Sequence, residues 1–263
     1  MATAMFPNTV RQAQRWYAFV FIVAMVAPII VVLPLGFSSG SFLSYPLPGL
    51  SLRWFEKVFQ PEPWMHALFN SVTIGLATAA VATVLGTLAA LGLSRKQTAG
   101  APIFLVLILL PMIIPSIVYA VSVYFFFATL GLNETFLGMV IAHSTLALPF
   151  VVIPVLSTLS NFDRKLILAG ESLGASPVQV FWNVTLPNIA PGVMTGAIFA
   201  FATSFDEVIV AIFVAGPEQK TLPRQMIDGI RDSIDPSIIS VSFLLFLFAC
   251  LLLVSSVLLA KRG

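Results

Sequence analysis

Long apolar runs set apart by short polar segments dominate this chain. The runs cover roughly 16–37, 66–93, 102–128, 136–157, 190–215 and 238–260. Crossing ~30 Å of hydrocarbon takes about 20 helical residues, and these runs are continuous rather than alternating in period two. The pattern therefore predicts six transmembrane helices and argues against a β-barrel. The first polar segment, 38–65, is rich in Ser, Gly and Pro and turns amphipathic around Leu52–Phe59. It reads as a short interfacial helix, with Trp54 and Trp64 at the membrane boundary, or as a plain connector. The polar segment at about 158–189 reads as two short helices. Asp163 can cap the first, from about Arg164 to Leu173, and Gly174 ends it. Ser176 as N-cap, Pro177 at the first position and Gln179 at the third open the second with a capping box. That helix presents Val180, Phe181, Trp182 and Val184 until Pro187 stops it.

Inside the spans, Pro111, Pro115, Pro149 and Pro154 predict kinks, because each removes a backbone donor. Ala82, Gly86 and Ala90, and again Gly192 and Gly196, repeat at four-residue spacing, which lets helices approach closely in lipid. Asp235-Pro236 opens the last helix as N-cap and first position. No inverted internal repeat of the kind found in many secondary transporters is visible.

Composition confirms the solvent. Apolar residues make up 59% of the chain and charged residues 9%, with a mean hydropathy of +1.01. Soluble domains carry roughly a quarter charged residues, so the reading is an all-α membrane protein. We expect a tail at 1–15, one transmembrane domain at 16–260 and a short tail at 261–263. The inner segments would carry Arg11, Arg15, Arg95, Lys96, Arg164, Lys165, Lys261 and Arg262. The outer ones carry Arg53, Lys57, Lys220, Arg224 and Arg231 with more acids than bases. By the positive-inside rule both termini and the 158–189 loop are cytoplasmic. The first run is too long for a signal-peptide core, and Pro28 and Pro34 interrupt it, so a retained helix is expected. The single Cys250 can form neither an internal disulfide nor a metal cluster. The net charge of +2 reflects topology, and no nucleic-acid partner is implied.

Asp206 and Glu207 fall near the middle of the fifth apolar run. Ionisable groups at that depth are costly and face a cavity or a partner. The two carboxylates, with Thr203 on the same helical side, read as a waypoint for a cation; the alternative is a structural role. His143 in the fourth span and Tyr119 and Tyr124 in the third are further pathway candidates, with packing as the alternative for His143. Glu218, Asp228, Asp232, Asp235, Lys220, Arg224 and Arg231 make the outer loop 216–237 either a docking face or a solvated one. No Gly-rich phosphate loop followed by Lys-Ser or Lys-Thr is present. The chain is therefore not expected to be an enzyme, and any ATPase must be a separate polypeptide.

The order of the helix pair, Gly174-Ala175-Ser176-Pro177 through Val184 to Leu186-Pro187, resembles the coupling ("EAA") loop of bacterial ABC-importer permeases. Asn70-Ser71 and Leu91-Gly92-Leu93-Ser94-Arg95 extend the resemblance to the MetI-like permeases. Ser204-Phe205-Asp206-Glu207, Thr221-Leu222-Pro223 and Gly229-Ile230-Arg231 are similar to spermidine/putrescine-type permeases. The resemblance implies a multi-pass inner-membrane subunit taking up polyamines. Its partners would be a second permease subunit, two ATPase subunits that hold ATP and Mg, a periplasmic binding protein and membrane lipid, with no cofactor on this chain. It also implies ATPase contact through Gly174, Ala175, Ser176, Pro177, Phe181, Trp182, Leu186 and Pro187. The family's Glu-Ala-Ala falls on Leu168-Ala169-Gly170, so Leu168 replaces the glutamate, with Glu171 three residues on. This departure predicts a heterodimer whose other subunit keeps the stricter loop. The rival readings are the same importer carrying an opine, a phosphonate, ferric iron or an oxyanion, and a proton-coupled secondary carrier using Asp206 or Glu207.

Overall fold

The computed structural model describes residues 8–94, 100–232 and 234–260. Arg95, Lys96, Lys261 and Arg262 lie outside the described residues, as do residues 1–7 of the expected N-terminal tail and all of the C-terminal one. The first helices in chain order are α1 (Asn8–Val32), α2 (Arg53–Val58) and α3 (His66–Leu93). Next come α4 (Ala101–Ile113), α5 (Ser116–Leu130) and α6 (Phe136–Ser160). Then follow α7 (Lys165–Ser172), α8 (Pro177–Val180), α9 (Leu186–Asp206) and α10 (Ile209–Val214). The last are α11 (Leu222–Asp232) and α12 (Ser237–Ala260). Among the described residues four helical stretches are long and apolar enough to cross a membrane, or five if the bent α4–α5 pair is one span. The described apolar part of α12, Ser237–Leu251, is shorter.

One compact unit spans Glu62–Ile227. Its centre is the packing of α3, α6 and α9, where small residues remove the bulk that would hold helices apart. Val151 of α6 is wedged between two glycines. A Cβ on Gly86 of α3 would stand 2.8 Å from the Val151 Cβ, and one on Gly196 of α9 would stand 2.9 Å from its Cα. Ala82, Ala90, Val152, Val155, Ile189 and Ala200 complete this buried cluster. A second cluster joins α5, α6 and α10 through Ala120, Phe127, Met139, Ala142, Val210 and Val214.

The other unit contains α1, α2 and α12. A 3₁₀ turn, Leu33–Phe37, extends α1, and Pro28 lies inside the helix without ending it. The rings of Phe37, Phe55 and Phe243 pack with centroids 4.8–5.8 Å apart. Trp54 is buried; its indole donates to the Gly40 carbonyl at 3.2 Å, and the Arg53 guanidinium covers the ring at 4.4 Å. Trp64, in the first unit, is also buried. Both rings, expected from sequence at the membrane boundary, are thus covered by protein, and Trp54 bonds within it. Asp235 binds Lys57 at 2.6 Å through Oδ2 and accepts the Ser237 amide at 2.9 Å through Oδ1.

Three boundaries differ from the sequence reading. The run 102–128 is not one kinked helix: α4 and α5 meet at 105°. Ile114 stands extended (φ −71°, ψ 133°) in front of Pro115, since the proline ring drives the preceding residue out of the α region. Pro111, Pro149 and Pro154 remain inside helices. Second, Pro187 does not stop the second helix of the 158–189 segment. A π turn, Phe181–Thr185, carries the chain from α8 into α9, with the Leu186 amide bonded to the Phe181 carbonyl. Pro187 then falls in the first turn of α9, where its missing donor costs least. Third, the run 190–215 is broken after Asp206, where Glu207 is extended (ψ 115°).

Candidate functional site

Two places in the Glu62–Ile227 unit concentrate chemistry: the helix pair α7–α8 and the break between α9 and α10. Local bonds build the pair. Asp163 accepts the Lys165 amide at 2.9 Å. Gly174 ends α7 at φ +84°, with its amide on the Glu171 carbonyl (2.9 Å) and the Ala175 amide on that of Gly170 (3.1 Å). That double closure needs a left-handed residue, which glycine supplies without a Cβ penalty. Ser176 and Gln179 then cap each other, through bonds of 2.8 and 3.4 Å.

The faces of the pair divide sharply. Gly170 turns toward α8, and a Cβ there would lie 3.1 Å from the Val180 Cγ2. Val180 is buried, so it is not one of the presented residues expected from sequence: packing against α7 claims it. Phe181 is half-buried, and its ring meets that of Trp182 edge-on at 5.3 Å. Trp182 itself is 61% exposed, alongside exposed Leu168, Leu173 and Val178. Beneath the pair lies a cleft of about 330 Å³ lined by residues including Leu91, Leu159, Arg164, Ile167 and Phe181. The Arg164 guanidinium donates to the Ser94 carbonyl, tying the pair to the end of α3, where a cation suits the carbonyl-rich terminus.

At the break, the two acids part company. Asp206 is the exposed last residue of α9 and makes no hydrogen bond or ion pair to a described residue. Glu207 is half-buried, and its Oε1 accepts the Val210 amide at 2.9 Å. Thr203 lies on α9 one turn before Asp206. Because α9 ends there, Thr203 shares a helical side with Asp206 but not with Glu207. Tyr119 is within electrostatic reach of Glu207, and its hydroxyl donates to the Ala142 carbonyl at 2.9 Å. Tyr124 is exposed on α5, five residues and so about 140° around the helix from Tyr119, and does not join the group. His143 is fully buried. Its Nδ1 meets the Ser204 Oγ at 2.8 Å, and Ser204 donates to Thr78 at 3.4 Å. Those bonds make it a cross-link of α3, α6 and α9.

Several residues matter more than the sequence reading allowed. Arg224, assigned there to an outer face, donates to the Ala211 carbonyl at 2.9 Å and also to that of Ala215. Asn70 donates to the Glu218 and Lys220 carbonyls at 2.8 and 2.9 Å, and Ser71 accepts the Leu222 amide at 2.7 Å. The sequence signal for these was a buried-type polar pair at the opening of an apolar run.

Residues 82–262 match the family described as the binding-protein-dependent transport system inner membrane component. The chain belongs to that family: it is a non-catalytic, multi-pass permease subunit of an ABC importer, working with a further permease, an ATPase and a binding protein. It is 30% identical over 249 residues to the spermidine/putrescine transport system permease protein PotC of Haemophilus influenzae, covering 94% of this chain and 96% of that protein. It is 30% identical over 221 residues to the putrescine transport system permease protein PotI of Escherichia coli, covering 81% and 78%. Its fold matches a chain of a bacterial ABC transporter involved in the import of the acidic polysaccharide alginate. The TM-score is 0.71 at 15% identity, over 97% of this chain and 98% of that one.

Proposed function

We propose that this chain is one half of a heterodimeric permease that imports polyamines delivered by a periplasmic binding protein. It would cross the inner membrane six times: by α1, α3, the α4–α5 pair, α6, α9 with α10, and α12. Both termini and the α7–α8 pair lie on the cytoplasmic side, the pair serving as the coupling loop. ATP and Mg are held by two partner ATPase subunits. Trp182 is the docking knob, and Leu168, Leu173 and Val178 are further exposed apolar residues of the pair. Gly174, Ala175, Ser176 and Pro177 shape the turn behind it, while Phe181, Leu186 and Pro187 carry it into α9. Leu168, in place of a glutamate, leaves this copy an apolar grip, which favours a partner permease with a different loop.

The observation that carries the substrate reading is Asp206, a carboxylate with no partner among the described residues, at a helix break in a chain similar to permeases named for spermidine and putrescine. Discontinuous helices are where transporters commonly place substrate, and a carboxylate there favours a cation over phosphonates or oxyanions. Closure of the ATPases on ATP would draw the coupling pairs together and turn the permease outward. A push on α8 reaches Asp206 through one helical rod, since Trp182 and Asp206 lie roughly 36 Å apart along it. A proton-coupled carrier would give the α7–α8 pair no task.

The test is reconstitution with both permeases, the ATPase and the binding protein in proteoliposomes. ATP-dependent uptake of labelled spermidine and putrescine is expected. Uptake driven by a proton gradient without the ATPase would refute the importer reading. ATP hydrolysis stimulated by the binding protein but without polyamine uptake would refute the substrate.

A further inference from the structure

We propose that the two adjacent acids do different work. Asp206 meets the cationic substrate, whereas Glu207 is a positioning residue that, with Arg224, clamps α10 and fixes the break that presents Asp206. The assignment of Asp206 rests on the cation reading above; the clamp stands on geometry alone.

The geometry at α10 is that of a short helix held at both ends by opposite charges. Glu207 spends Oε1 on the Val210 amide at the N-terminal end. Arg224 donates to the Ala211 and Ala215 carbonyls at the other. Each charge complements the helix terminus it touches. Neither residue belongs to α10, so the clamp fixes the helix relative to the segments before and after it. The anchoring runs further: the Asn70 and Ser71 bonds hold the chain from Glu218 to Leu222, directly before Arg224. On the other face, Val210, Ala211 and Val214 are buried in the α5–α6 cluster.

The electrostatics of the break follow. The C-terminal carbonyls of α9 contribute partial negative charge beside Asp206, and the free amides of α10 would contribute partial positive charge opposite them. Glu207 offsets that positive end. Remove it, and the break presents unpaired amides to an arriving ammonium group; keep any good acceptor in its place, and the amide stays bonded. The position thus requires an acceptor at Oε1 more than it requires a charge.

That distinction is testable in the assembled importer. Glu207→Gln keeps the acceptor and should hold uptake within about twofold of wild type, with KM unchanged. Glu207→Ala should lower maximal uptake by about tenfold or more and leave KM nearly alone, as expected when geometry rather than binding is lost. Asp206→Asn should instead raise KM by about tenfold. Hydrogen exchange of the α10 amides supplies a readout that needs no substrate. Protection of Val210 should persist in Glu207→Gln and fall in Glu207→Ala, and Arg224→Gln should loosen the opposite end. A KM rise in Glu207→Gln matching that of Asp206→Asn would overturn the division of labour. Unchanged Val210 protection in Glu207→Ala would overturn the clamp. Absence of polyamine uptake by the wild type would refute the role given to Asp206, and the clamp would then stand or fall on the exchange measurement.

Discussion

Replacing Trp182 with alanine should uncouple this permease from its ATPase without unfolding it. A buried tryptophan covers at most about 250 Å², and Trp182 is 61% exposed, which leaves roughly 150 Å² for a partner to cover. At about 25 cal/mol per Å² this sets an upper bound of about 4 kcal/mol. Alanine retains part of that area and the docking groove relaxes around it, so a loss of about 2–3 kcal/mol is expected, in the range of an aromatic hot spot. That corresponds to an ATPase affinity roughly 30- to 150-fold weaker. Within the chain, the ring contact that Trp182 loses is the edge-on one to Phe181, worth about 1 kcal/mol. Val180→Ala is the contrasting variant: Val180 is buried against Gly170, so it should loosen the pair itself and lower the melting temperature. The assay is binding of purified ATPase to the permease pair in nanodiscs, with thermal unfolding of the permease alone as control. Affinity of Trp182→Ala within threefold of wild type would refute the docking assignment.

Three further outcomes follow from the packing. Gly196→Ala places a methyl 2.9 Å from the Val151 Cα; because Gly86 presses Val151 from the other side, α6 cannot give way. Overpacking of about 1–3 kcal/mol should outweigh the ~1 kcal/mol helix gain of alanine, and a melting temperature equal to wild type would show the contact to be looser than described. His143→Ala leaves a cavity and removes the 2.8 Å partner of Ser204, costing about 2–5 kcal/mol; it should lower thermal stability, and a selective rise in substrate KM with normal stability would place His143 in the pathway instead. The third concerns pH. Burial pushes the Asp235 carboxyl up, but hydrogen bonds from Lys57 and Ser237 and the Lys57 charge outweigh it and hold the group below its usual range. A carboxylate depressed in the folded state contributes its stability above the unfolded value of about 4, and that contribution is lost as pH falls through the folded value. Protection of the amides at the start of α12, taken relative to the intrinsic exchange rate at each pH, should therefore fall in acid in wild type and change less with pH in Lys57→Met; identical profiles would exclude the ion pair as the cause.

What the sequence made legible was local or continuous. The apolar run 66–93 became α3 with the same limits, because a long helix in lipid needs no information beyond its own hydrophobicity and backbone bonding. The Gly174 stop of α7 and the capping box of α8 were legible because Gly174, Ser176 and Gln179 act within a few residues of themselves; Arg164 rather than Asp163 is the N-cap of α7, with Asp163 bonding the Lys165 amide from one position further out. The breaks were not. Of the four prolines read as kinks, Pro115 alone broke its helix, and nothing in the residues flanking Pro111, Pro149 or Pro154 marks them as tolerated. The break at Glu207 depends on Arg224, which is remote in sequence, and on the apolar bed under Val210 and Val214. The setting of His143 was not legible either, because it bonds Ser204 on another helix and Ser204 in turn bonds Thr78 on a third.

Pro187 is the instance with the largest consequence for mechanism. Read as a stop, it makes the α7–α8 pair a loop hinged onto α9, and force from an ATPase would dissipate in that hinge. The π turn Phe181–Thr185 changes this, because it admits the proline while keeping the chain helical from Pro177 to Asp206, with Pro191 also inside α9. A helical rod resists bending far better than a connector does, so the exposed face at Trp182 and the carboxylate at Asp206 become two ends of one element. Its weak points are the wide turn, where one extra residue per turn loosens the ladder, and Pro191, which has no amide to donate. A transmission of this kind therefore depends on the Phe181–Leu186 bond more than on any side chain between the two ends.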